Sequence, residues 1–500
     1  LDPRTAAECR ELGLYELRQR RPDLDRWKGY ATGTGQDRPY APDGVSNEYL
    51  RLREMSMAPW LDLVEKAAVQ RQAVDGFRTN ADGRPDEEAD AATWEIWRTN
   101  QLHGRQSMVY SDRMVYGQGI VSVWPQQGAL PLITPESPRR VFLFPHDDNP
   151  FRIGWAVKNW TTKTPSRTTG QPQWTDVEHA VVYDETSWIR YRRTAMAGGA
   201  GWLGGGWTLV ASGTHPHGIP FVAFPNDQDS EGRCYSEIER LIPLQDSINT
   251  TRFNLMLAMQ FAAFRQRGVI GFDPLMRDAE GRPIPQVDAE GRPIIDPHTG
   301  QPKPLMSPVP RAGVDRTWVF PGADTKIFEF SESDLRAYAD AMSSHVQHLS
   351  ATSQTPPHYL LGQLSNLSAE ALTAAETTLT RKVAAACTTD AAAWEEVMGK
   401  AALLAGSGTK PFATQAMWRK TESVSIGQVV DAITKLVGGP VLAPESGREM
   451  IPGATPQDQE RWRSQFTQHQ AAAAARLAGG DLASVLTMPK FQQPGEPVAA

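Results

Sequence analysis

A chain of 500 residues is too long for one hydrophobic core, so it is expected to divide into at least two domains. With 40% apolar and 22% charged residues it has the make-up of an ordinary folded protein, and it contains no apolar run long enough to cross a membrane. A net charge of −7, from 51 basic and 58 acidic side chains, argues against a surface that grips nucleic-acid phosphates, though not against one that nucleic acid slides past.

Three cysteines (Cys9, Cys234 and Cys387) lie far apart, which gives neither a disulfide framework nor a metal quartet. Leu1-Asp-Pro-Arg4 carries no apolar signal segment, and synthesis in a reducing cytoplasm is the expectation. Residues 1–30 read as a charged helix, followed by a Gly/Pro-rich link over 30–44. Asn47 to Gly76 keeps helical spacing, with Leu50, Met55, Leu61, Val64 and Ala68 on one side. Asp82-Gly-Arg-Pro85 is a turn. Asp86 to Arg113 is a second helical stretch, anchored by Trp94, Trp97, Leu102 and Met108.

From Gly117 the period drops to two. Strands are predicted at Ile120–Trp124, Arg140–Phe144, Arg152–Trp160, His179–Tyr183, Ser187–Arg193 and Trp207–Val210, divided by Pro, Gly, Asn and Asp. The glycines of 198–206 make a hairpin tip and not a phosphate loop, because no Lys-Ser/Thr follows them. Residues 1–225 are therefore expected to form an α+β domain. His215 and His217 stand two apart without a third ligand nearby, so they read as polar loop residues rather than a metal site.

A helix is predicted from 236 to about 265, with Pro243 at its first turn or at a kink. Ile238, Leu241, Ile248, Phe253, Met256 and Gln260 mark its inner face. Gln245, Asn249 and Arg252 interrupt that face, which suits a helix facing neighbouring copies or a wet lumen. Next, Asp278-Ala-Glu-Gly-Arg-Pro-Ile284 recurs unchanged as Asp288-Ala-Glu-Gly-Arg-Pro-Ile294. Each Glu-Gly is a turn and each Pro-Ile edges a strand, giving an exposed hairpin arm; the acidic spacing does not fit a calcium loop. Trp318 to Phe330 returns the chain as strand.

The stretch from Asp334 to Lys400 carries the plainest helical signals. Leu335, Tyr338, Ala339, Met342, Val346 and Leu349 form one stripe, with cap chemistry in Ser331–Asp334. Thr355-Pro356-Pro357 ends that helix, since proline lacks the N–H and disfavours helix in the residue before it. A loop then runs from His358 to Leu367. A new helix starts with Asn366 or Ser368 as N-cap, and it meets no Pro before Lys400, which predicts a length of roughly 45 Å. Residues 406–411 are a linker. Trp418 to Leu436 passes from strand into a helix capped near Ser425. Thr455-Pro456 opens another helix ending near Gly479, and the Ala/Pro/Gln-rich remainder to Ala500 reads as a tail.

Several of these segments stand in an order that resembles the portal protein of long-tailed, siphovirus-type bacteriophages. They are His215-Pro-His-Gly-Ile-Pro-Phe-Val222, Ser236-Glu-Ile238 with Pro243-Leu-Gln-Asp-Ser-Ile-Asn249, Thr355-Pro-Pro-His-Tyr-Leu-Leu-Gly362 with Asn366-Leu-Ser-Ala-Glu-Ala-Leu372, and Trp418 with Asp431-Ala-Ile-Thr-Lys-Leu436. The set spans roughly residues 40–470. The duplicated Glu-Gly-Arg-Pro arm lies outside the family pattern. The resemblance implies a ring oligomer, usually of twelve subunits, at one capsid vertex of the virion, assembled in the host cytoplasm. Residues 1–235 would be the wing, 236–266 and 334–354 the two-helix stem, 267–333 the β-rich clip, and 355–367 the tunnel loop. Residues 368–420 would be the long wing helix and return strand, 421–480 a helical crown, and 481–500 a flexible tail.

It further implies a channel for packaging and ejecting double-stranded DNA, and a docking platform for the terminase large subunit and then the head-tail adaptor. The major capsid and scaffolding proteins would be further partners. Gln363, Leu364, Ser365 and Asn366 would face the DNA. Asp278, Glu280, Arg282, Asp288, Glu290 and Arg292 would make clip partner contacts, and Gln245, Asn249 and Arg252 would face the lumen or a neighbouring subunit. Catalytic, metal and cofactor sites are not expected. No Lys or Arg lies between Thr355 and Asn366, and each neutralised phosphate would retard sliding. The rival readings are a carbohydrate-active enzyme, which 15 tryptophans and many carboxylates permit, and a monomeric capsid adaptor. The chain has no HExxH, G-x-S-x-G or Gly-x₄-Gly-Lys-Ser/Thr pattern, so it is not expected to be an enzyme or the packaging motor itself.

Overall fold

The computed structural model describes residues 2–81, 84–85, 87–166, 173–194, 206–215, 218–263, 267–270, 275–306, 326–329, 335–362, 369–406, 414–419, 426–438, 451 and 461–471. Helix α1 (Pro3–Thr32) begins where the Asp2 carboxylate accepts the Arg4 and Thr5 N–H groups, and ends at Gly33 with φ 71°. Next come α2 (Asn47–Met55), α3 (Trp60–Val69), β1 (Val74–Ala81), β2 (Arg84–Pro85), α4 (Glu87–Thr99) and α5 (Leu102–Tyr116). Strands β3 (Gln118–Gln126), β4 (Ala129–Glu136), β5 (Val141–His146), β6 (Asn149–Ser166), β7 (Gln173–Tyr183), β8 (Ser187–Thr194), β9 (Thr208–Thr214) and β10 (Phe221–Pro225) follow. The chain continues through α6 (Glu237–Ala263), β11 (Arg267–Ile270), β12 (Lys326–Glu329), α7 (Leu335–Ser353), α8 (Pro357–Leu361), α9 (Ala369–Leu404), β13 (Thr414–Trp418) and α10 (Ile426–Gly438). Residues 461–471 are also helical.

The mixture of helices and antiparallel sheets agrees with the α+β expectation, with several local differences. The helical spacing over Asn47–Gly76 covers two helices and the start of β1, because β1 pairs with β13 more than 330 residues later. The stretch Asp86–Arg113 breaks in two at Gln101 (φ 55°). There the buried Asn100 amide donates to Ile96 O and Pro131 O, and its Oδ1 accepts the Ile133 N–H. Strand β4 forms despite Pro131 and Pro135, which an edge strand tolerates. His215 does lie in the loop just past β9, and it is buried there: its Nε2 lies 3.1 Å from Ser187 O, and burial lowers its pKa. His217 lies outside the described residues, as do Ser331–Asp334, Asn366, Ser368, Ser425 and Thr455.

The chain divides into two units. Leu1–Gly35, Pro59–Ile242 and Leu349–Ala500 form the first, and Gln36–Ala58 with Pro243–His348 form the second. Residues 36–58 thus group with 243–348, and not with the rest of residues 1–235. Helix α6 crosses the boundary at Pro243, and α7 crosses it after His348.

In the first unit the five-stranded sheet runs β5-β6-β7-β8-β9, and two three-stranded sheets run β10-β3-β4 and β13-β1-β2. Helix α1 covers one face of the large sheet through Ala6, Val157, Val182, Ile189 and Tyr191. The approach is close at Gly13, where an added Cβ would lie 2.4 Å from a Val157 methyl. The main core gathers α3, α4, α5, β1, β3, β4, β10 and β13 around α9, which buries Leu379, Val383, Trp394, Val397, Met398 and Ala401.

Polar clasps repeat along α9. Trp394 Nε1 donates to Tyr110 Oη (2.9 Å), which donates to Gln106 Oε1 (3.1 Å), which also accepts the Val74 N–H (2.8 Å). Glu395 accepts the Ala416 N–H at 3.2 Å, and Lys400 Nζ donates to Ile219 O at 2.9 Å. Midway, the fully buried Asp390 sits 3.3 Å from the Arg113 guanidinium, whose other branch donates to Asn226 Oδ1.

Burial lifts the Asp390 carboxyl to about 6, against the pull of Arg113. An acid raised in the folded state above its ordinary 3.8 contributes fully to stability below that value, and the contribution is lost as pH rises through about 6. Asp390→Asn should therefore flatten the stability profile across that window, by about 3 kcal/mol at most. Melting temperatures measured through the window check this, and an unaltered slope would mean that Asp390 does not titrate there.

Candidate functional site

The connection from α7 to α9 is built from short-range clasps. At the end of α7, Gln354 adopts a positive φ of 55°. The Thr355 N–H donates to Ser350 O (3.1 Å) and Ser350 Oγ donates to Thr355 O (2.6 Å), closing the turn before Pro356. Pro357 then begins α8, which covers part of what the residue pattern assigned to loop. Its Leu360 is buried, and Gly362 ends it at φ 64°.

Tyr359 of α8 meets two distant side chains. Arg71, just past α3, reaches Tyr359 Oη at 2.6 Å and Glu376 Oε2 at 3.3 Å. Tyr359 Oη lies 3.4 Å from Glu376 Oε1, and the Arg71 guanidinium stands 5.7 Å from the Tyr359 ring centre. His358 Nε2 is 3.9 Å from the same carboxylate. Farther along α9, Lys382 Nζ pairs with Glu237 and donates to Ser353 O at 2.8 Å, tying α9 to the start of α6 and the end of α7. Gln363, Leu364, Ser365 and Asn366 lie outside the described residues.

In the second unit, two of the three polar residues expected to face a lumen or a neighbour do neither. Gln245 and Asn249 are fully buried within their own chain. Gln245 Nε2 donates to Ala58 O (2.7 Å) and Asn249 Oδ1 (2.9 Å), and Asn249 Oδ1 also accepts the Ala58 N–H (3.2 Å). Asn249 Nδ2 donates to Gln36 Oε1 at 2.8 Å. The interrupted apolar face is explained by residues 36–58, which dock on it with Tyr49 edge-on to Phe253. Arg252 keeps part of its surface exposed.

The duplicated arm is more than a hairpin. Met276 N–H donates to Leu305 O, Leu305 N–H to Ile284 O, and Ile284 N–H to Met276 O, at 3.0, 2.7 and 2.8 Å. A second closed ring links Gln286 to Lys303 O, Lys303 to Ile294 O, and Ile294 to Gln286 O, at 2.7, 2.7 and 2.8 Å. These six donors are all non-proline residues set among Pro283, Pro285, Pro293, Pro302 and Pro304, which cannot donate. Between the rungs, Asp278 Oδ1 accepts from the Glu280 and Arg282 N–H groups, and Asp288 Oδ1 from those of Glu290 and Arg292. Gly281 and Gly291 supply the left-handed turn position at φ 80° and 79°. Asp278 and Asp288 therefore close their own turns, and Glu280, Arg282, Glu290 and Arg292 are exposed.

Two of the tryptophans, Trp97 and Trp394, serve the main core: they pack edge-on at 4.8 Å, and Phe224 meets Trp394 edge-on at the same distance, whereas Trp174 is exposed. Among the described residues no group of three His, Cys, Asp or Glu could hold a metal ion, and no helix is long and apolar enough to cross a membrane.

The family profile described as "Phage portal protein, SPP1 Gp6-like" matches residues 20–471. The chain belongs to that phage portal protein family. Two curated portal proteins are similar to it over most of their length. That of Mycobacterium phage D29 is 26% identical over 447 residues, covering 85% of this chain and 81% of the relative. That of Mycobacterium phage L5 is 26% identical over 453 residues, covering 86% and 82%. Among solved structures, a chain titled "Neck of empty GTA particle computed with C6 symmetry" aligns with a TM-score of 0.45 and 12% identity, covering 84% of this chain and 97% of that one. Family membership makes this chain a structural component of a phage virion rather than a member of an enzyme family, as the order of its segments implied.

The buried amide cluster generates a direct test. Asn249→Ala strands the Ala58 N–H and Gln36 Oε1 and removes one of the two acceptors of the Gln245 amide, and should cost about 2–3 kcal/mol of stability. Thermal or denaturant unfolding measures it. A variant that unfolds normally but fails to associate would restore the subunit-contact role for Asn249.

Proposed function

We propose that this portal protein forms a ring, of about twelve copies on the family's pattern, at one vertex of the capsid. Double-stranded DNA enters and leaves through the ring. The terminase motor docks on its outer end during packaging, and the head-tail adaptor replaces it there. The reading rests on the family match across residues 20–471, and one observation carries it to a mechanism. The stretch from Thr355 to Asn366 holds no Lys or Arg, and it lies between the end of α7, where Ser353 O accepts from Lys382, and α9, which is clasped within the first unit. A wall without fixed cations releases no counterions on contact with duplex, so DNA passes it without a retarding grip. Gln363, Leu364, Ser365 and Asn366 are the residues assigned to that wall.

The arm is assigned to partner docking through Glu280, Arg282, Glu290 and Arg292, and Arg252 to the stem surface. Hydrogen-bond rings and Asx turns hold the arm in shape before any partner arrives, which lowers the ordering cost of binding. The subunit itself makes and breaks no bonds; the motor supplies the work.

Two outcomes are expected in a packaging assay with purified proheads. Ser365→Arg with Asn366→Arg should slow or stall DNA uptake while particles assemble normally; unchanged uptake would remove these residues from the channel wall. Deleting residues 278–303 should leave assembly intact and weaken motor docking or tail joining, and normal values for both would take the arm out of partner contact.

A further inference from the structure

We propose that Arg71, Tyr359 and Glu376 are positioning residues that lock α8 against α9 and so fix the place from which the channel-wall stretch departs. The inference rests on the reading of residues 363–366 as channel-facing. Its own content is a claim about three described side chains.

Helix α8 has five residues, far too few to be stable by its own hydrogen bonds, so packing must set its orientation. One hold is the turn at Ser350 and Thr355, and a second is the buried Leu360. Neither fixes rotation about the chain between them. The third hold does, because it brings together three separate elements at Tyr359. The Arg71 guanidinium bridges the Tyr359 hydroxyl and the Glu376 carboxylate, and the hydroxyl lies within reach of that carboxylate as well. The side chains of Arg71 and Glu376 are only 18% and 13% exposed, so water competes weakly for these bonds.

A partly buried ion pair of this kind is poor evidence for stability, since apolar residues of similar size often serve as well. What it supplies is direction: one nitrogen, Arg71 Nη2, donates to the Tyr359 hydroxyl and pairs with the Glu376 carboxylate, so both groups must lie on the same edge of the planar guanidinium. Glu376 sits seven residues into α9, about 10 Å along the helix from its first residue. Locking Tyr359 to that point holds both ends of the intervening connection, Gly362 and Ala369, at a set separation. The channel wall is then placed by α3 and α9 together rather than by its own short sequence.

The test uses full-length protein in assembled particles, with Arg71→Glu, Tyr359→Phe, and the exchanged pair Arg71→Glu with Glu376→Arg. Particle mass and melting temperature report assembly and stability, amide hydrogen exchange of Tyr359 to Gly362 reports the lock, and DNA taken up per particle reports function. Arg71→Glu should keep its mass, speed exchange at those amides by about tenfold, and lower DNA uptake severalfold. The exchanged pair should recover most of both. Tyr359→Phe, which retains the ring and loses only the hydroxyl, should move both readouts in the same direction if Arg71→Glu cannot assemble. Unaltered exchange in an assembled Arg71→Glu or Tyr359→Phe particle would overturn the proposal. So would a loss that the exchanged pair does not repair. Faster exchange, repaired by the pair, with DNA uptake constant throughout would confirm the lock and reject instead the assignment of residues 363–366 to the channel.

Discussion

The ion pair between Arg113 and Asp390 joins α5 to the middle of a 36-residue helix, and the first unit is arranged so that this contact can be buried. Helix α9 is too long to be held at one end. It is clasped at Glu376, Lys382, Asp390, Trp394, Glu395 and Lys400, with α5 holding both Asp390 and Trp394 and other parts of the chain holding the rest. Between these polar points its apolar residues fill the main core. Burying two charges at the centre is costly unless they meet, and the raised Asp390 carboxyl records that cost. The reward is a rod whose position is reported to α3, α5, α8 and four strands at once. A subunit that must hold its shape against DNA under load would need such a rod.

The second unit solves a different problem. Its segments 36–58 and 243–348 are distant in sequence, and the amide cluster of Gln36, Gln245 and Asn249 joins them without charge. The arm then gains order from backbone bonds, with six proton donors closing two three-membered rings, and from the Asp278 and Asp288 carboxylates that cap its turns. Proline at alternate positions removes donors that would otherwise invite pairing with foreign strands. An exposed element can in this way be stiff without a hydrophobic core of its own.

How much of this could be read from the residues depends on the range of the forces involved. Helix α9 was legible because a run without proline carries its own signal. The turns of the arm were legible from each Glu-Gly, though the closure into rings was not, because that depends on backbone groups from separate stretches of the arm meeting. Strand β1 was hidden by its partner, since Val74–Thr79 is a strand through its pairing with β13. The i, i+4 pair Gln245 and Asn249 was seen as a polar interruption, yet its partners Gln36 and Ala58 lie some 190 to 210 residues earlier and nothing local names them. Arg71 and Glu376 are hidden for the same reason, being 305 residues apart, and Glu370 in the same helix offers the local sequence an equal glutamate. Composition did expose the absence of cations from 355–366, because that property needs no partner.

The central claim is that this polypeptide is one wall segment of a ring around duplex DNA. Axial electron micrographs of the purified full-length protein test it most directly. The account predicts rotationally symmetric particles with a central opening wide enough for a double helix; solitary globules of about the 55.1 kDa chain mass, without an opening, would contradict it.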